Sequence, residues 1–69
     1  MGHQFLFSGD KAQIENNIRW CRQQFGQRGQ RWDFTGSYTK IILLFWEDKD
    51  ASWYALSWSA ERLGNAAWG

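Results

Sequence analysis

Tyr38-Thr39-Lys40-Ile41-Ile42-Leu43-Leu44-Phe45-Trp46, then Glu47-Asp48-Lys49-Asp50, then Ala51-Ser52-Trp53-Tyr54-Ala55-Leu56-Ser57-Trp58 is the stretch on which the fold turns. The run from Tyr38 to Trp46 is rich in β-branched and aromatic residues, the composition of a strand. The acidic tetrad supplies a polar turn, and Ser52 to Trp58 reads as the returning arm of a hairpin. Side chains alternate across a strand, so Ile42, Leu44 and Trp46 point one way while Ile41, Leu43 and Phe45 point the other. In the returning arm Trp53 and Ala55 oppose Tyr54, Leu56 and Trp58. Both faces are apolar, and strands apolar on both sides belong in sheets covered on both sides.

Upstream, Phe5-Leu6-Phe7 is a short strand closed by Ser8-Gly9-Asp10. Asp10, with Gln13 three residues later, has the pattern of a capping box. Ile14, Ile18, Cys21 and Phe25 then recur on one stripe of a helix, which Gly26 stops. Gln27 to Gln30 is a polar loop, and Arg31 to Phe34 alternates as a short strand turning at Gly36-Ser37. Downstream, Ala60 to Trp68 is expected as a short second helix capped by Ser59. These elements predict an α+β fold: a small single domain spanning 1–69 in β-α-β-β-β order, its antiparallel sheet packed on one main helix, with a short C-terminal helix.

Size and composition set limits on function. At 69 residues the chain buries only about 60% of the surface its unfolded form exposes. Six Trp, five Phe and two Tyr are more aromatic area than so small an interior holds, so some rings are expected to face outward. Cys21 is the single cysteine, so no disulfide within the chain is available, and one thiol fits a reducing, cytoplasmic setting. The N-terminal residues have no basic segment leading into an apolar stretch, and Ile41 to Trp46 is far too short to span a bilayer. Neither a leader peptide nor a membrane association is therefore expected.

Two groups of residues are candidate sites. Arg19, Arg22, Arg28 and Arg31 lie in a stretch without any acid that also holds Trp20 and ends against Trp32. Arginines on phosphates beside an indole stacked on a base make a nucleic-acid site, and this is the leading expectation. Trp46, Trp53, Trp58 and Trp68 on the hairpin and tail form the alternative, a protein interface serving a homodimer or a small inhibitor of a larger protein, a build met in phage proteins by analogy only.

Catalysis has little to work with. His3 is the sole histidine, Cys21 sits on the apolar stripe, and no second Cys or His completes a zinc set. Asp48-Lys49-Asp50 begins like a calcium loop, but Trp53 stands where glycine is needed and no bidentate acid follows. No Gly-rich phosphate loop is present. The chain is therefore expected to act without catalysis, cofactor or metal.

In order of elements, Arg31 to Trp68 resembles a double-stranded-RNA-binding domain over about half the chain. That family opens its last helix with a lysine cluster, and here the matching residues are Ala60, Glu61 and Arg62, so no site residue is carried across.

Overall fold

The computed structural model describes residues 2–66. Six elements follow one another: β1 (Gly2–Ser8), α1 (Lys11–Phe25), β2 (Trp32–Gly36), β3 (Lys40–Phe45), α2 (Asp48–Ser57) and β4 (Glu61–Ala66). One four-stranded antiparallel sheet has the order β2-β3-β1-β4. Because β3 runs antiparallel to both β1 and β2, the latter two are parallel with β3 inserted between them. This is the split βαβ, or ferredoxin-like, arrangement, a scaffold that serves many unrelated functions. The chain is thus an α+β domain.

Local chemistry explains α1 well. The Asp10 side chain accepts from the Gln13 amide at 2.8 Å while the Gln13 side chain accepts from the Asp10 amide at 2.9 Å, a reciprocal capping box. At the other end Gly26, at φ 88°, donates its N–H to the Arg22 carbonyl and turns the chain out of the helix. Gly36, at φ 142°, closes the β2–β3 hairpin, and a Cβ there would run into the Lys40 carbonyl oxygen.

Two elements differ from expectation. Ser52 to Trp58, expected as the returning arm of a hairpin, instead runs on as α2 to Ser57 with Trp58 as its C-cap. Asp48 and Asp50 stand in its first turn, where carboxylates favour the positive end of the helix dipole. Ala51, Tyr54 and Trp58, at helical spacing, turn toward the sheet, whereas Trp53 and Leu56 point outward. Apolar residues on both sides of the helix hide its 3.6-residue period. The tail, expected as a helix from Ala60, instead adds Glu61–Ala66 to the free side of β1, with Leu63 bulged where the register shifts. A strand without strong β propensity forms here because β1 otherwise leaves a row of backbone groups unpaired. With a helix interposed between β3 and β4, the resemblance to the double-stranded-RNA-binding order ends. Trp68 lies outside the described residues.

Both helices pack on the same face of the sheet. Phe5 and Phe7 of β1, Trp32 of β2 and Ile41, Leu43 and Phe45 of β3 form that face, joined by Ile14, Cys21 and Phe25 of α1 and Ala51 and Tyr54 of α2. Rings meet mostly edge to face: Phe5 on Phe45, Phe25 on Phe45, Phe7 on Trp58. Alternation leaves Gln4, Leu6, Asp33, Thr35, Ile42 and Leu44 on the opposite face.

At the sheet edge, Arg28 reaches across β2. Its Nε donates to Asp33 at 2.8 Å, its Nη2 donates to the outward-facing Phe34 carbonyl at 3.1 Å, and the guanidinium lies 4.4 Å from the Phe34 ring centroid.

Candidate functional site

Of the two tryptophans expected as stacking platforms, one is enclosed and the other half-buried. Trp32 is fully buried, stacked on Phe34, with its indole N–H donating to the Gly26 carbonyl at 2.8 Å. Trp20, on α1 but off the apolar stripe, is half-buried at the seam between the helices, with Phe25, Trp53, Tyr54 and Trp58 around it at centroid distances of 5.7–6.2 Å. Trp32 has no face left to receive a base, and Trp20 is partly covered by its neighbours.

The four arginines divide in the same way. Arg28 is held on the β2 edge by Asp33. Arg31 makes a two-pronged contact with Asp50, Nε to Oδ2 at 3.0 Å and Nη2 to Oδ1 at 2.6 Å, and this hydrogen bond and charge raise the guanidinium above its ordinary pKa. Asp50 is buried in the first turn of α2, so the pair ties that helix to the loop after α1. Arg19 and Arg22 are exposed on α1 and make no ion pair with the described residues.

Of the second group, Trp46 and Trp53 face outward, at 43% and 48% exposure, while Trp58 is half-buried against Phe7 and Trp20. They do not share a sheet face. Trp53 stands on the outer side of α2, its indole N–H donating to the Gln24 side chain at 3.1 Å. Next to it on that side is Leu56, 82% exposed, which sequence reading had assigned to the sheet. The helical pairing of positions 53 and 56 is visible in the sequence only once Ser52–Trp58 is read at a period of 3.6.

A second surface also escaped notice. Between α1 and the β2–β3 hairpin runs an open groove of about 410 Å³ floored by Ile14, Ile18, Phe34 and Ile41. Tyr38, 71% exposed, stands at its hairpin end with the Lys11 ammonium 5.5 Å from its ring centroid. At its other end Glu15 and Ile18 are shared with a shallow depression lined by Arg19 and Arg22.

Cys21 is fully buried, and burial pushes its thiol far above the ordinary range, so it carries no thiolate at neutral pH. It contacts Asn17 at 3.8 Å, and the Asn17 amide donates to the Tyr54 hydroxyl at 2.8 Å. Burial also raises the Tyr54 phenol, against the smaller lowering effect of the Asn17 bond. His3 lies on the helix-facing side of β1, its Nε2 2.6 Å from Asp48 Oδ1. Among the described residues no group of three or more His, Cys, Asp or Glu could hold a metal ion, and no helix is long and apolar enough to cross a membrane.

Comparison with protein families, characterised proteins and solved structures finds no match to this chain.

Proposed function

We propose that the chain is a non-catalytic protein-interaction module that presents the outer side of α2, anchored by Trp53 and Leu56, to an apolar groove on a partner protein. The observation that carries this reading is a ten-residue helix with Tyr54 and Ala51 buried beneath it and Trp53 and Leu56 exposed above it. Large apolar side chains three residues apart on an exposed helix are the anchors of helix-in-groove recognition. Trp is also the residue type most enriched at binding hot spots, and Trp53 is already held in place by Gln24, so little freedom is lost on docking.

The size of the surface favours a groove over a second copy. Ten residues of helix are about 15 Å long and roughly 10 Å wide. Two such faces laid flat together fall well short of the roughly 800 Å² per partner typical of a stable interface. A partner that wraps the helix gains the missing area from its own walls. Nucleic-acid binding keeps Arg19 and Arg22 as candidate contacts but has no aromatic platform from Trp32 and only a half-buried Trp20 beside them.

The test compares wild type, Leu56→Glu and an Arg19→Ala/Arg22→Ala double variant in quantitative affinity capture, with sedimentation velocity of the chain alone. The reading requires a monomer and a captured protein lost with Leu56→Glu but retained by the arginine variant. A dimer abolished by Leu56→Glu makes the occupant a second copy. Salt-sensitive binding of a mixed-sequence oligonucleotide, lost only in the arginine variant, restores the nucleic-acid reading. Capture unaffected by Leu56→Glu refutes the role of α2.

A further inference from the structure

We infer that the groove between α1 and the β2–β3 hairpin is a second, independent docking site, which takes a peptide segment carrying apolar side chains followed by carboxylates. The inference does not depend on the outer face of α2, which lies on a different helix.

The groove's volume, about 410 Å³, falls in the roughly 300–1,000 Å³ range of specific ligand sites. Its floor is hydrocarbon from Ile14, Ile18, Phe34 and Ile41, with the exposed ring of Tyr38 as a wall. A floor of this kind rewards apolar side chains and offers a polar group nothing to pair with.

Charge selects the rest of the occupant. Arg19 and Arg22 stand where the groove continues past Ile18, and neither is paired with a described residue. They are forks that match carboxylates two bonds at a time. Glu15, the single acid on the lining, stands beside both stretches and repels any anion next to it, so the occupant's negative charge belongs past it, at Arg19 and Arg22. A peptide with apolar residues at the hairpin end and Asp or Glu at the arginine end meets every one of these conditions.

The experiment selects phage-displayed random peptides on the immobilised full-length chain and measures the enriched peptides, fluorescently labelled, by anisotropy. Enriched sequences should share apolar residues beside Asp or Glu. Arg19→Ala/Arg22→Ala should weaken binding about tenfold per arginine, and Tyr38→Ser should weaken it as well. All three substitutions are at exposed positions, and circular dichroism checks that the fold is kept. Leu56→Glu should leave peptide affinity unchanged, which separates this site from the one on α2. Failure to enrich any peptide, enrichment of peptides without acids, or affinity indifferent to both the arginine and Tyr38 variants overturns the inference. So does an oligothymidylate that competes for the same residues more tightly than the enriched peptides.

Discussion

Replacing Trp32 separates two roles that its sequence context leaves open. As a base-stacking ring on the surface, Trp32→Ala would change stability by no more than about 0.5 kcal/mol. As the structure has it, the side chain is completely enclosed and its indole N–H is bonded to Gly26. Burying up to about 250 Å² at about 25 cal/mol/Å² gives an upper bound near 6 kcal/mol, and large-to-small substitutions in cores usually cost about 3–5. The lost hydrogen bond adds about 1 kcal/mol. We expect a loss of about 4–6 kcal/mol, against a total stability of about 3.5–10 kcal/mol for a chain of 69 residues. Trp32→Ala should therefore be mostly unfolded if the total lies in the lower part of that range and strongly destabilised otherwise, while Trp32→Phe, which keeps a ring against Phe34, should lose about 1–2 kcal/mol. Urea unfolding followed by far-ultraviolet circular dichroism measures both without relying on the fluorescence of the remaining tryptophans. A Trp32→Ala protein within 0.5 kcal/mol of wild type, about the surface value, refutes the enclosed placement.

Stability should fall in alkali. Cys21 and Tyr54 keep their protons in the fold, whereas the unfolded chain releases them near pH 8.5 and 10. Above those values the unfolded state binds fewer protons than the native one, so each group removes about 1.4 kcal/mol per pH unit and has no such effect at lower pH. Urea titrations across this range should show the decline, and Cys21→Ala should abolish its first stage. Asn17→Ala leaves the buried Tyr54 hydroxyl without its partner and should cost about 1–3 kcal/mol in the same assay. Gly36→Ala, forced into positive φ against Lys40, should lower stability by about 1–3 kcal/mol, and a neutral result would mean that the hairpin closes differently.

What the sequence makes legible here is what neighbouring residues decide between themselves. The stripe of α1, its Asp10–Gln13 cap and its stop at Gly26 rest on contacts a few residues apart and are present as read, and the apolar run read as Tyr38 to Trp46 holds the shorter strand Lys40–Phe45. The status of Cys21 as a buried hydrophobe was legible for the same reason. Elements decided by distant partners were not. Trp20 lies off the α1 stripe, and only the arrival of α2 alongside gives it Trp53 and Trp58 to pack against. Residues 61–66 become a strand because β1 has a free side, a fact recorded nowhere in their own composition. The acid-free run of arginines reads as a basic patch until folding brings Asp33 to Arg28 and Asp50 to Arg31.

Arg28 has a consequence for how this molecule can be approached. An outer strand normally invites a visiting strand, whether a ligand's or that of another copy, to continue the sheet. On β2 the carbonyl that would receive such a visitor already holds a guanidinium, itself anchored to Asp33 and lying against the Phe34 ring. Guanidinium does not lose its charge at any pH a cell reaches, so the donor on this carbonyl is always present. Growth into ribbons from β2 must first displace Arg28 from the Phe34 carbonyl, so a visiting strand meets a charged side chain there before it meets backbone.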